Sequence, residues 1–157
     1  MRRVPIPVLL YHAIGGDRSP WIAPFTVTPA TFGRHLELIV ASGRTALTVD
    51  ELRTGLAGEV ALPTHPVVIT FDDGFAELAD VAAPLLAEWQ LPATVFLTTG
   101  FLGGRSPGGD RMLSWAAARE LADAGQEIGA HSVSHPQLDT LPLPAARAEI
   151  EIGRAHV

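Results

Sequence analysis

Five short runs of apolar and β-branched residues recur along this chain, each followed by a helix-sized segment, and that alternation restricts the fold more than any other feature. The runs are Val4 to Leu10, then 45–49 (TALTV), 67–71 (VVITF), 93–99 (ATVFLTT) and 127–131 (EIGAH). The segments between them carry helix signals. Thr28 caps a helix that has Pro29 in its first turn, an apolar stripe of Phe32, Leu36, Ile39 and Val40, and Gly43 as its stop. Further helices are read at 50–56, at 75–89 with a kink at Pro84, after the cap Ser114, and from Pro144 onward. Strands separated by helices pair in parallel through right-handed crossovers. The expectation is an α/β architecture, a doubly wound sheet or a (β/α) barrel, formed by one domain over 1–157.

Both architectures build sites at the C-terminal ends of their strands. His12 follows the first run, Asp72 and Asp73 the third, and His131 closes the fifth, with His135 in the loop beyond. Two adjacent carboxylates at the end of an apolar strand repel each other and are costly to bury. Asp-Gly is also a common turn pair, so Asp73-Gly74 reads either as a turn or as a cation site. Two imidazoles and one carboxylate form a frequent three-ligand set for a catalytic divalent metal; zinc suits it best, and cobalt or nickel can substitute. Capping or hydrogen-bonded core roles are the alternatives for these histidines.

Composition narrows the function classes. A net charge of -6, with no lysine and no arginine cluster, excludes nucleic acid as a partner. The lack of cysteine excludes disulfides, thiolate-bound zinc and a thiol nucleophile. Arg2 and Arg3 before an apolar run resemble an export signal, but Pro5 and Pro7 interrupt the run and no small-residue cleavage site follows. No run is long enough to span a membrane. A cytoplasmic protein is the default expectation, with the cell envelope or exterior as the alternative; the oligomeric state is open.

The TFDDG motif (Thr70 to Gly74) together with HSVSHP (His131 to Pro136) resembles the polysaccharide deacetylase, or NodB-homology, family of carbohydrate esterases. PVLLYHAIG, FTVTPATFGRHLELI and ATVFLTTGFLG extend the resemblance over almost the whole chain, toward the branch that begins with a Tyr-His strand. The resemblance implies that Asp73, His131 and His135 hold a divalent metal, that Asp72 is the general base, and that His12 is the general acid. It implies a metal-dependent hydrolase that removes N-acetyl groups from an oligo- or polysaccharide. An O-acetyl esterase acting on a substrate such as acetylated xylan is one rival, and a non-catalytic carbohydrate- or metal-binding fragment is another.

Family members continue beyond the second histidine motif, with an arginine motif and a later aspartate motif that orient base and acid. The five strands here therefore imply an incomplete (β/α) barrel, against about seven or eight for a closed one, with an unpaired edge. The closing EIGRAHV is the peptide that a widely used sequencing adaptor encodes in one reading frame, so 152–157 is expected to be a non-native tail, with a genuine C-terminus as the alternative. Tyr11, Trp89 and Trp115 are expected to pack, and Trp21 to pack or to stack on a sugar ring. His35 and His65 are expected to face solvent, and the glycine-rich segment 100–111 to be a flexible loop lining a substrate groove.

Overall fold

The computed structural model describes residues 5–154, so Val4, the two N-terminal arginines and the last three residues of the expected tail lie outside it. Its main sheet has five parallel strands: β1 (Val8–Tyr11), β4 (Thr45–Leu47), β5 (Pro66–Phe71), β6 (Thr94–Leu97) and β7 (Glu127–Ala130). The five expected strands are all present; β5 begins one residue before its run, at Pro66, and the other four are shorter than theirs. A second, two-stranded parallel sheet joins β2 (Ala13–Ile14) to β3 (Thr26–Val27), in a stretch that reads from sequence as loop alone. The helices are α1 (Pro29–Ala41), α2 (Val49–Leu56), α3 (Ala83–Glu88), α4 (Trp115–Asp123) and α5 (Leu143–Arg154). Ile152 to Arg154 continue α5.

The strand order departs from a simple sequential winding. Val68 pairs with Val8 on one side and Leu47 on the other, so β1 and β4 flank opposite edges of β5. Thr70 and Phe71 pair with β1 and also with Thr94 and Val95, so β6 takes over the edge that β4 vacates. The start of α2 fills this fork. Thr48 caps it in a reciprocal box with Glu51, and Val49 N–H donates to Glu127 Oε2 at 2.8 Å and to Thr94 Oγ1 at 2.9 Å. That box is also why the 45–49 run stops being a strand at Leu47. The barrel is not closed: among the described residues β1, β7 and the short β4 each pair on one side only, and Val8 and Leu10 are 55% and 56% exposed.

Side-chain alternation along the strands separates the two faces. Tyr11, Ile69, Phe71, Val95 and Leu97 point to the helices and join Phe32, Leu36, Leu78, Leu86 and Leu121 in one core. Tyr11 meets Phe32 edge-on at 5.1 Å and stacks on Phe71 at 5.5 Å, so it packs as expected. Its hydroxyl pairs with His35 Nδ1 at 2.9 Å, which corrects the solvent-facing reading of His35; that side chain is half-buried. His65 is exposed and Trp89 packs against the core, both as expected.

The helix expected over 75–89 is two pieces. Leu78–Ala82 is a π-helical turn and α3 follows it, with Pro84 in the first turn of α3. A proline ring clashes with the carbonyl four residues back, and the wider π turn relieves that clash.

Candidate functional site

The opposite face of the sheet carries the polar residues. Counting by twos along β1, β5 and β7 brings His12, Asp72 and His131 to this face, each just past its strand's C-terminal end. Backbone bonds fix the rim: Asp72 N–H donates to Tyr11 O at 2.9 Å, Thr98 N–H to Asp73 O at 3.1 Å, and His131 N–H to Leu97 O at 2.8 Å.

The two acids then turn sharply. Gly74 N–H donates back to Asp72 O at 2.9 Å and Asp73 sits between them at φ +73°, which is the rare, strained form of the γ-turn. Gly74 follows at φ +87°, and a Cβ there would stand 2.7 Å from Leu97 Cδ2. Gly74 is required both by its backbone angle and by this close approach. The turn throws the Asp73 carboxylate inward. Its side chain is 3% exposed, against 18% for Asp72. Turn and polar cluster are therefore one feature.

The second half of the site is the loop after β7. Ser132 and His135 both have positive φ, +63° and +57°. Three of the four such non-glycine residues among those described lie in this site, where strain of about 1–3 kcal/mol each must be offset by surrounding structure. Glu149 on α5 supplies much of that support: its carboxylate accepts from Val133 N–H at 2.8 Å, Ser134 N–H at 2.9 Å and Ser134 Oγ at 2.7 Å. The bond from Ser134 Oγ is the chief reason its carboxyl is held below the ordinary value; burial opposes it, and the Ser134 and Val133 N–H groups add to the lowering. His135 N–H donates to Ser132 Oγ at 3.1 Å, and Val133 O accepts from Gly100 N–H at 2.8 Å. Sequence reasoning missed Glu149. An acid inside a regular amphipathic helix carries no local sign of a contact fifteen residues away.

These two segments bring Asp73, His131 and His135 together, with one ligand atom from each all lying within 4.8 Å of one another. Asp73 Oδ1 is buried without an aligned hydrogen-bond partner, although His135 Nε2 stands 3.2 Å away and His131 Nε2 3.5 Å away. An orphaned buried carboxylate oxygen is costly unless something compensates it. Ligand atoms about 2.0–2.1 Å from a tetrahedral zinc stand roughly 3.4 Å apart, so the donor set and its spacing fit a divalent cation. Asp72 lies beside them, 4.0 Å from His131 Nε2. Burial pushes its carboxyl above the ordinary value; His131, His12 and His135 pull it down, and Asp73 pushes it up. His12 is within electrostatic reach of Asp72 and rests against Phe25 at 5.3 Å. All five expected site residues meet on one rim.

Trp21 also borders this rim, 40% exposed, edge-on to the His135 ring at 6.1 Å. The segment 100–111 is not the slack loop expected from its glycines. Ser106 and Asp110 are buried within it, and Asp110 accepts from Ser19 N–H at 3.1 Å and Ser19 Oγ at 2.6 Å.

A family model for polysaccharide deacetylase matches residues 59–155. YxkH of Bacillus subtilis (strain 168), a protein that carries the name of a polysaccharide deacetylase, is 28% identical over 145 residues, 92% of this chain and 48% of its own. Among solved structures, the Streptococcus pyogenes deacetylase PplD in complex with acetate superposes with a TM-score of 0.83 at 26% identity, covering 98% of this chain and 67% of that one. IcaB from Ammonifex degensii superposes equally well, TM-score 0.83, at 23% identity over 96% of this chain and 67% of that one, and shows the likeness of fold. The chain thus spans about half the length of the curated relative it matches.

Proposed function

The chain belongs to the polysaccharide deacetylase family, and from that premise we propose that its rim is the catalytic centre of a metal-dependent hydrolase that removes N-acetyl groups from an oligo- or polysaccharide. The observation that carries this reading is the buried Asp73 Oδ1, unpaired and facing two imidazole Nε2 atoms, with a second carboxylate and a third histidine beside it. Asp73, His131 and His135 hold the cation, zinc by the nature of the donors, with cobalt or nickel as substitutes. The chemistry supplied by a bound cation is Lewis-acid polarisation of the acetyl carbonyl and of water.

The chain's own groups move the protons. Asp72 takes one proton from the attacking water as its oxygen bonds to the acetyl carbon. The carbon–nitrogen bond then breaks, and His12 gives a proton to the departing nitrogen, leaving acetate and a free amine. Support for acetate as product comes from PplD, the relative at 26% identity, whose structure holds acetate.

The test is acetate release from an N-acetylated chito-tetraose by the zinc-loaded chain. Asp72→Asn should abolish turnover while zinc stays bound, and His12→Ala should slow it about 10²–10⁴-fold. Turnover at the parent's rate in Asp72→Asn would refute the assignment. Zinc bound without turnover in the parent would favour the non-catalytic reading, and release from acetylated xylan alone would favour the O-acetyl esterase.

A further inference from the structure

The segment between β2 and β3 is held far more firmly than a surface loop requires. Arg18 Nη2 meets Glu77 Oε2 at 2.7 Å with only 5% of the arginine side chain exposed, and Arg18 Nε donates to Gly15 O at 2.7 Å. One residue on, Ser19 gives both its N–H and its hydroxyl to the buried Asp110 carboxylate. That carboxylate also accepts from Ser106 Oγ at 3.2 Å. Gly108 has no room for a side chain, since a Cβ would stand 2.3 Å from Ser19 Oγ. Ile22 is 2% exposed and plugs into a small cluster with Phe75 and Met112. Three anchors therefore bracket two residues, Pro20 and its neighbour, and one of the two carries an aromatic ring that is 40% exposed. It is Trp21, whose indole tilts against Phe75 at 6.4 Å and meets the His135 ring edge-on.

A buried salt bridge and a two-donor carboxylate are not needed to park an indole on a surface. They are needed to hold it at one place and angle. The place is beside a candidate metal ligand, where a sugar carrying the scissile acetamide must lie. The axial C–H face of a pyranose is a flat apolar surface of a size to match an indole, and such contacts need a rigid ring.

We propose that Trp21 is a sugar-stacking wall of the site, and that Asp110, through Ser19, is its positioning residue. This inference rests on the deacetylase reading and adds to it a carbohydrate contact made by a residue outside the metal and proton machinery. The ligand is a pyranose ring of an N-acetylated chain, held by its face, next to the acetyl group presented to Asp73, His131 and His135.

The zinc-loaded chain is titrated with N-acetylated chito-tetraose, read by calorimetry and by indole fluorescence, with zinc affinity measured on the same samples. Trp21→Ala should weaken sugar binding about five- to tenfold at unchanged zinc affinity, and Trp21→Tyr should restore most of it. Ser19→Ala and Asp110→Ala should weaken sugar binding in the same direction, and neither should weaken it further once Trp21 is alanine, as coupled positions behave. Should Asp110→Ala fail to fold, Ser19→Ala removes only the hydroxyl tie and carries the same test. Equal sugar affinity in the parent and Trp21→Ala, or full additivity with Ser19→Ala, would overturn the proposal. A parent that takes up neither zinc nor sugar would instead sink the deacetylase reading, and this inference with it.

Discussion

The two halves of the rim bear the same kind of strain and are supported in opposite ways. Asp73 and Gly74 are held by the sheet itself: main-chain bonds from Asp72 to Tyr11, Thr98 to Asp73 and Leu113 to Gly74 lock the turn into a buried setting. The loop carrying His135 leaves its imidazole 37% exposed and, besides main-chain bonds from Thr99 and Gly100, is propped by the Glu149 side chain reaching in from α5. A turn built from sheet backbone survives most single substitutions around it but is sensitive at Gly74, where backbone angle and close packing coincide. A loop propped from a neighbouring helix is open to adjustment from outside the three candidate ligands.

That contrast is exposed to direct tests, the severest first. Asp73→Ala should abolish zinc uptake in an equilibrium dialysis experiment, since it removes the one buried oxygen that both imidazoles face. Gly74→Ala should cost about 2–4 kcal/mol in urea denaturation, from the positive φ and the Leu97 contact together, and should weaken the whole domain. Glu149→Gln should leave the fold nearly as stable yet weaken zinc binding about 10–100-fold, as loss of a partner that orients ligands does. If Glu149→Gln proves as damaging to stability as Gly74→Ala, the contrast between the halves is wrong.

The smallest effect is a dependence on pH. Because the folded Glu149 carboxyl titrates below its ordinary value of 4.5, its contribution is fully present above that value and is lost as pH falls through the depressed one. The melting-temperature difference between the parent and Glu149→Gln should therefore be constant at neutral pH and shrink below about 4.5. A gap that widens in acid would contradict the role assigned to this carboxylate.

The rim is legible in the sequence, and Glu149 is not, for one physical reason. His12, Asp72, Asp73 and His131 are placed by strand ends, and parallel strands bring their ends together whatever the packing details. Glu149 and the Ser19–Asp110 tie depend on how a helix and two loops fold back, across fifteen and 91 residues, with no periodicity to announce them. The fork in the sheet was hidden likewise, since it arises from where β4 ends and the capped start of α2 wedges in. His35 was misjudged because it borders the Phe32–Leu36–Ile39 stripe; a tyrosine hydroxyl on the facing strand draws it inward. Glycines suggested slackness at 100–111, whereas Asp110 organises that segment from within.

The convergence of Asp73, His131 and His135 on one cation is most directly tested by a zinc-binding isotherm on the intact chain and two variants. The account predicts close to one equivalent bound by the parent and by Asp72→Asn, and none by Asp73→Ala. Equal uptake by Asp73→Ala and the parent, or no uptake by the parent, would contradict it.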